Sequence, residues 1–139
     1  MSKRDIISFE GCTVAWRQAL DRAGLTLGDL SFVETHDCFT IAELIEYEAM
    51  GLTPAGQGAR AIKEGWTQPD GRLPVNLSGG LKAKGHPIGA TGVSMHVLTT
   101  MQLCDEAGAI QAKDPQFGGI FNMGGAAVAN YVSILERVK

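Results

Sequence analysis

The sequence predicts a layered α/β domain that ends in a β-hairpin. Segments with the 3.6-residue apolar period of helices alternate along the chain with short runs of β-branched and aromatic residues. The order is helix, strand, helix, strand, helix, strand, strand, and Gly124-Gly125, a tight-turn signal, separates the last two strands. Elements that alternate in this way pack as helices against a sheet.

The composition is that of an ordinary globular domain. The 139 residues are 45% apolar and 19% charged, with a formal net charge of −3, and a chain of this length buries roughly two thirds of its unfolded surface. Lysine and arginine are scattered, and no apolar run approaches the ~18 residues of a membrane span. We expect one domain over residues 1–139, with residues 1–7 as a leader, that binds neither nucleic acid nor a membrane.

Residues 10–23 predict the first helix, because small or apolar side chains recur at helical spacing. Gly24 is placed to end this helix in a left-handed conformation. The β-forming run 31–35 then predicts a strand, and a second helix follows to about Met50. The expected apolar face of the second helix holds Ile41, Leu44 and Ile45, and its expected polar face holds Glu43 and Glu46.

Residues 52–73 form a long connection rich in glycine and proline, and connections of this length in compact domains usually serve a function, so we expect it to lie over the site. Val75-Asn76 predicts a short strand. Residues 89–107 predict a helix with apolar side chains around most of its circumference, which indicates burial on nearly all sides. Asn122, in the final hairpin, is either a turn residue or a backbone organiser at a site.

The segment from Leu77 to Gly92, LSGGLKAKGHPIGATG, combines five glycines with one histidine. Its spacing fits neither a phosphate-binding P-loop nor a dinucleotide-binding glycine pattern. Pro87 restricts the backbone of His86, and the small residues that follow begin a helix whose N-terminus favours negative charge. From spacing alone, a histidine in a structural turn and a catalytic imidazole are about equally supported.

The sequence His36-Asp37-Cys38-Phe39 lies where the predicted strand gives way to a helix, a common place for functional groups in α/β domains. A cysteine at a helix N-terminus near a histidine predicts a thiol of lowered pKa that acts as a nucleophile or a proton shuttle. A small buried thiol is the alternative. Zinc binding by His36, Cys38 and His86 is disfavoured because closely spaced ligand pairs are missing, so we expect no metal.

The remaining reactive residues have plainer interpretations. Cys12 and Cys104 are expected in the core, and three widely spaced cysteines predict no disulfide framework. His96 is expected to be a buried, hydrogen-bonded histidine. Lys82 and Lys84 are expected to be solvated loop residues, with contact to a phosphorylated ligand as the alternative.

Together these segments resemble the thiolase family. GHPIGATG, residues 85–92, is similar to the family's G-H-P-x-G-A-[ST]-G motif, and residues 73–80 resemble the segment that precedes it. HDCF, residues 36–39, resembles the motif of sterol-carrier-protein-type thiolases, where other thiolases have N-E-A-F. NMGGA, residues 122–126, occupies the place of the closing glycine-rich turn, where other thiolases carry C-x-G. The resemblance covers about residues 8 to 137, with all motifs in order.

This resemblance implies the C-terminal half of a thiolase. The family packs two similar βαβαββ-type halves into a five-layer protein, usually dimeric, so the chain is expected to form one half with a mixed sheet, a buried helix and a terminal hairpin. The implied substrate is a coenzyme A thioester, without a covalently bound cofactor. The implied partners are an acyl-coenzyme A, a thiolase N-terminal half, further copies in a homo-oligomer and an accessory acyl-coenzyme A-binding subunit.

The resemblance also implies roles for individual residues. Cys38 corresponds to the acid/base thiol that handles the α-proton, and His86 to the imidazole that activates the nucleophilic thiol and contributes to an oxyanion hole. His36 stands where other thiolases have an asparagine that orients a catalytic water. Contacts to substrate, coenzyme A or an oxyanion are expected from Gly124, Gly125, Asn122, Gly85 and Ser78.

The family's nucleophilic cysteine belongs to the N-terminal half, and none of the three cysteines here lies in its motif. The chain alone is therefore expected to be inactive and to self-associate, whether as a fragment, a truncated chain or one subunit of a split enzyme. The alternatives are a thiolase-like retro-aldolase subunit, which Cys38 disfavours, and a non-catalytic assembly or coenzyme A-binding domain. Residues 136–139 lack the S-K-L peroxisomal address, so we expect a cytoplasmic protein.

Overall fold

The structure is a computed structural model that describes Asp5 and residues 7–138. The leader predicted over residues 1–7 thus falls mostly outside the described residues. The helices are α1 (Glu10–Ala23), α2 (Thr40–Ala49), α3 (Gly58–Lys63), α4 (Gly80–Lys84) and α5 (Thr91–Leu103). The strands are β1 (Phe32–Glu34), β2 (Phe117–Gly124) and β3 (Ala129–Glu136), and short 3₁₀ turns lie at Leu27–Asp29 and Gly108–Ile110.

The three strands form one mixed sheet in the order β1-β2-β3. β1 is parallel to β2, with Val33 opposite Gly119, and β2 is antiparallel to β3, with Asn122 opposite Tyr131. This confirms the predicted α/β class and the terminal hairpin. The predicted strand at Val75 is reduced to a single bridge with Val33.

Helices pack on both faces of the sheet. A Cβ on Gly119 would lie 2.9 Å from the Trp16 ring of α1, whereas a Cβ on the adjacent Gly118 would lie 2.6 Å from the Thr99 side chain of α5. Successive strand residues point to opposite faces, so these two glycines allow α1 and α5 to approach β2 closely from opposite sides. The larger core lies on the α1 face and includes Cys12, Trp16, Val33, Tyr47 and Phe121.

α1 begins and ends as the sequence predicts, and Gly24 has the expected positive φ of 68° at its end. α2 is rotated relative to the prediction: Ile41 is 62% exposed, and Glu46 is completely buried. The buried face of α2 carries Ala42, Glu46 and Ala49. The predicted polar face is therefore wrong at Glu46. Of the predicted apolar face, Leu44 and Ile45 are partly buried and pack against the core, whereas Ile41 lies at the surface.

α5 is not covered on all sides. Val93 and Val97 are 66% and 52% exposed, while Met95 and Thr99 face the sheet. The prediction of a helix buried all round is wrong for this chain, because residues four apart share one helix face and the described residues leave that face uncovered.

The structure also differs from the predictions for Cys104, His96 and residues 52–73. Cys104 is exposed just after α5, and not in the core as predicted. His96 is exposed too, although its Nδ1 contacts the Gly92 carbonyl oxygen at 2.7 Å and its Nε2 contacts Ser133 Oγ at 3.0 Å. Residues 52–73 contain α3, which packs against α2. Among Asp5 and residues 7–138, no helix is long and apolar enough to cross a membrane.

Candidate active site

Two histidines from distant parts of the chain meet at one end of the sheet. His36 follows β1, and His86 follows α4 after Gly85, whose φ of 86° ends that helix. The two ring centroids are 4.8 Å apart with the rings edge to face. His36 is only 5% exposed, whereas His86 lies on the surface of the described chain. The structure therefore brings together two of the predicted catalytic residues.

His36 is held by Asn122 of β2. Its Nδ1 lies 2.6 Å from Asn122 Oδ1, and an amide oxygen only accepts hydrogen bonds. With the amide in this orientation, Nδ1 carries the hydrogen and Nε2 of the neutral ring is an acceptor. Burial lowers the pKa of His36, and the hydrogen bond to Asn122 opposes that effect. A side chain on Gly92 would lie 2.9 Å from the Asn122 amide nitrogen, so this glycine leaves room for the arrangement.

The His86 side chain is hydrogen-bonded to the first residue of α5. Its Nδ1 lies 2.7 Å from the hydroxyl oxygen of Thr91, and Thr91 is itself 5% exposed. This contact leaves Nε2 of His86 free for other groups. Thr91 belongs to the GHPIGATG motif, but its hydroxyl was not among the predicted site residues.

Cys38 is half-buried at the amino end of α2, next to the N-cap residue Phe39. Burial raises the pKa of its thiol, and the nearby Glu46 raises it further. The backbone N–H of Phe39 acts in the opposite direction. The prediction of a thiol with a lowered pKa is therefore wrong for this chain, because desolvation outweighs the helix N-terminus. The Cys38 side chain is therefore a protonated thiol at neutral pH.

Two cavities flank the histidine pair. The first, of about 930 Å³, is lined by His36, His86, Asn122 and the amino end of α5. The second, of about 660 Å³, also contacts both histidines, and it contains Cys38 and a mostly apolar wall. Met123, Gly124 and Gly125 line both cavities. Two of the predicted oxyanion residues, Gly124 and Gly125, thus lie beside the imidazoles.

Ser78 and Gly85 line neither cavity. Ser78 Oγ donates a hydrogen bond to Glu34 Oε2 at 2.6 Å, so its hydroxyl serves the local structure, and the ligand contact predicted for each of the two residues stays a prediction. The segment 52–73 lines neither cavity either, and its predicted place over the site likewise stays a prediction. Among the described residues, no group of three or more His, Cys, Asp or Glu side chains is arranged to hold a metal ion.

Two buried carboxylates hold the segment that carries His86. Glu34 and Asp37 are each 2% exposed. Glu34 accepts from Lys84 Nζ at 3.1 Å as well as from Ser78, and Asp37 Oδ1 accepts from the Leu81 N–H at 2.7 Å. A carboxylate can be buried at acceptable cost when donors of this kind pair it. These contacts fix α4 against the turn formed by residues 36–39, which we call the HDCF turn.

The contacts with Glu34 and Asp37 also correct the prediction for the two lysines. Lys84 pairs with Glu34, and Lys82 pairs with Asp37 at 3.2 Å and with Glu43 at 2.6 Å. Both lysines are engaged by acids of the same chain, so neither is simply a solvated loop residue. Sequence reasoning missed Glu34, although an acid at the end of a buried strand was a signal.

The chain also matches known proteins. The model of the "Thiolase C-terminal domain-like" family matches residues 1–137. The chain belongs to the thiolase C-terminal domain-like family. It is 42% identical over 135 residues to the acetyl-CoA acetyltransferase of Methanothermobacter thermautotrophicus, a match that covers 97% of this chain and 35% of that protein.

Two further relatives show the same partial coverage. Human sterol carrier protein 2 is 40% identical over 124 residues, which are 88% of this chain and 23% of that protein. Benzoylsuccinyl-CoA thiolase subunit BbsB of Thauera aromatica is 34% identical over 110 residues, which are 79% of this chain and 29% of that subunit. The chain thus spans between 23% and 35% of the length of these relatives.

A solved structure supports the fold. The Ltp2-ChsH2(DUF35) aldolase matches with a TM-score of 0.76 over 92% of this chain and 32% of that chain, at 20% sequence identity. At this identity the likeness establishes a shared fold. It agrees with the thiolase-like α/β class that the sequence predicts.

Proposed function

We propose that this chain is the acid/base half of an acyl-coenzyme A thiolase. The observation that carries the proposal is that both imidazoles line two neighbouring cavities beside the Gly124-Gly125 turn and that Cys38 lines one of these cavities with them. A thiol, two nitrogen bases and exposed backbone N–H groups are what carbon–carbon bond cleavage next to a thioester requires.

Cys38 is assigned the proton transfer at the α-carbon. When the bond between the α-carbon and the β-carbonyl carbon of a β-ketoacyl thioester breaks, its electron pair stays on the α-carbon. The nucleophilic thiolate assigned to the N-terminal half takes up the acyl fragment, and the S–H of Cys38 gives its proton to the α-carbon. The Cys38 thiolate that remains then takes the proton of the coenzyme A thiol, which removes the acyl group from the nucleophilic cysteine. The raised pKa of Cys38 supports this role, since the thiol is held ready as an acid. In the condensation direction, the thiolate removes the same proton.

The histidine pair and the glycine turn are assigned to the thioester oxygen. Because His36 uses Nδ1–H toward Asn122, its Nε2 can accept one hydrogen of a water whose other hydrogen points at the developing oxyanion. His86 is oriented by Thr91 and supplies Nε2 to the reacting groups. The backbone N–H groups of Gly124 and Gly125 are additional donors, and one such donor is worth roughly 3 kcal/mol of transition-state stabilisation.

The cavity that contains Cys38 supplies an apolar wall for the acyl group. Phe39 is 71% exposed and Ile41 is 62% exposed, and both line this cavity with Ile45 and Met123. Large apolar side chains that lie at the surface around a polar reactive group are typical of ligand sites. The acyl chain of the thioester would cover them.

The rest of the site is assigned to a thiolase N-terminal half. The nucleophilic cysteine of the family is not in this chain, and the surface beside His86 offers an apolar face for a partner, formed by Ile88 (105% exposed), Val93 and Val97. An exposed apolar face of this kind marks an interaction surface. We therefore expect a second chain or segment to pack over the α5 face and complete the cavities.

The proposal is tested by a thiolysis assay of the chain with and without a thiolase N-terminal half, using a β-ketoacyl-coenzyme A. We expect turnover only with both halves, and a loss of at least about 100-fold for Cys38→Ala. Cys104→Ala is the matched control, because this exposed cysteine lies outside both cavities. Retained turnover in Cys38→Ala would remove the assigned role. Cleavage of a β-hydroxyacyl thioester in place of the β-ketoacyl thioester would indicate a retro-aldolase.

A further inference from the structure

Glu46 is a completely buried acid on the core face of α2. One of its carboxyl oxygens accepts a hydrogen bond from the hydroxyl of Thr35, which is 1% exposed. The other oxygen has no hydrogen-bond partner among the described residues. An unsatisfied buried carboxyl oxygen costs stability, and such groups occur preferentially at functional sites.

The position of Glu46 connects it to the HDCF turn. Thr35 is the residue between β1 and that turn, and Glu46 lies in the helix that follows the turn. Their hydrogen bond closes the strand–turn–helix unit that carries Cys38. Cys38 also packs against the same core as Ala42 and Ala49, the neighbours of Glu46 on the buried face of α2.

We propose that Glu46 is a positioning residue for Cys38: its carboxyl, held by Thr35, fixes the strand–turn–helix unit that carries the thiol and places a second ionisable group in the core against which Cys38 packs. The inference rests on the acid/base role proposed above for Cys38. It assigns to Glu46 no contact with the substrate, because a side chain with no exposed surface cannot make one.

Electrostatic interaction couples the protonation of Glu46 to that of Cys38. Burial raises the pKa of Glu46 well above its usual range, and the hydrogen bond from Thr35 opposes that effect. Once ionised, the carboxylate raises the pKa of the Cys38 thiol, so loss of a proton from one group opposes its loss from the other. The other charged or titratable groups that act on Glu46, or on which it acts, are Glu43 and Tyr47 of its own helix, Asp37 of the HDCF turn, Lys82 of α4 and Cys12 of α1.

The test is the pH dependence of Cys38 alkylation by iodoacetamide in the 139-residue chain, measured for each cysteine by mass spectrometry. Glu46→Gln keeps the size of the side chain and an acceptor for Thr35, but it removes the charge. We expect the Cys38 midpoint to move to lower pH and the rate at pH 8 to rise about threefold or more, because a nearby like charge is lost. Cys104, exposed after α5, is the internal reference and should keep its profile.

Glu43→Gln is the matched control. It removes the same charge from the same helix at a partly exposed position, and it should not lower the Cys38 midpoint. An unchanged Cys38 profile in a folded Glu46→Gln variant overturns the proposal, since a merely structural Glu46 would leave the thiol unaffected.

Thr35→Val provides a second measurement if Glu46→Gln does not fold. It removes the hydrogen bond that lowers the pKa of Glu46, so a smaller fraction of Glu46 is ionised. The midpoint of Cys38 alkylation should therefore also move to lower pH, by a smaller amount than in Glu46→Gln. No movement again overturns the proposal. Because alkylation needs neither substrate nor a second half, a negative result here leaves the thiolysis test of Cys38 independent.

Discussion

The HDCF turn and the loop of residues 85–90 carry the two histidines of the site, but the described chain holds them in different ways. His36 is buried and bonded to Asn122, and the adjacent Asp37 is bonded to α4. Residues 85–90 are all exposed, and the side chain of His86 is bonded to Thr91. One side of the site is thus packed within this chain, while the other side lies at its surface.

This difference indicates how the catalytic apparatus is divided. The chain itself fixes the imidazole of the HDCF turn through Asn122, and it ties the turn to α4 through the buried Asp37 carboxylate. Residues 85–90 lie at the surface of the described chain, so under the proposed function it is the second half that would exclude water from His86. Exclusion of water strengthens every electrostatic interaction in a site.

The largest effect is expected from a glycine on the packed side. Gly80 has a φ of 67°, and a Cβ there would overlap the carboxylate of Asp37. We expect Gly80→Ala to lower the free energy of unfolding by about 3 kcal/mol, from strain and lost contacts together. Gly89→Ala is the control: its φ is 77°, but nothing lies within 4 Å, so about 1 kcal/mol is expected. Equal losses of unfolding free energy in the two variants, measured by urea unfolding, would contradict the contrast between the packed HDCF side and the loop of residues 85–90.

The next effect concerns the buried Glu34 carboxylate. Lys84→Met removes its cationic partner, and we expect a loss of about 2 kcal/mol in the free energy of unfolding, because a buried charge keeps only Ser78 as donor. Lys63→Met, on the exposed side of α3, should stay within about 0.5 kcal/mol of the wild type. Urea unfolding measures the free energy of unfolding of both variants. An unchanged value for Lys84→Met would mean that the Lys84–Glu34 pair does not hold α4.

A smaller effect is expected from the buried imidazole as the pH changes. Because burial lowers the pKa of His36 in the folded state, the unfolded chain binds more protons below its ordinary pKa of about 6.5. Stability is therefore retained above that pH and lost as the pH falls toward the folded pKa, by at most about 1.4 kcal/mol per pH unit. His36→Gln should flatten this slope in unfolding measured between pH 7 and pH 5. An unchanged slope would show that His36 is not desolvated.

The smallest effect on stability is expected at the loop. Thr91→Val removes the hydroxyl that contacts His86, and we expect a loss below about 1.5 kcal/mol, the range for one hydrogen bond. The ¹⁵N shifts of the His86 ring should change, while those of His96, bonded to Gly92 and Ser133, should not. If the His86 ring is unaffected, Thr91 does not orient it.

The sequence predicts well what depends on neighbours along the chain. α1 with its Gly24 end and the terminal hairpin follow from local periodicity and turn chemistry. The predicted turn at Gly124-Gly125 is displaced, because Gly124 still pairs with Ala129 and residues 125–128 form the connection. The structure also brings together His36 and His86 from two of the motifs, while the catalytic roles of Cys38, His36 and His86 stay predictions. The contact of Lys84 with Glu34 joins residues 50 positions apart, and no local pattern encodes such a pair.

The rotation of α2 could not be predicted for a similar reason. Ile41, Leu44 and Ile45 suggest the buried face. The chain instead buries Ala42, Glu46, Tyr47 and Ala49, packs Leu44 and Ile45 only partly against the core and leaves Ile41 to line a cavity. A site surface and a core both use apolar residues, so composition alone does not distinguish them. For this reason Glu46 was predicted on the polar face of α2, although it is buried.

The central claim, that Cys38 moves the α-proton, is tested most directly by hydrogen exchange. The chain and a thiolase N-terminal half are mixed in D₂O with an acyl-coenzyme A, and deuterium at the α-carbon and acylation of the N-terminal half are both followed by mass spectrometry. We expect Cys38→Ala to abolish deuterium incorporation while acylation continues, because only the proton transfer needs this thiol. Deuterium incorporation at the wild-type rate in Cys38→Ala would contradict it.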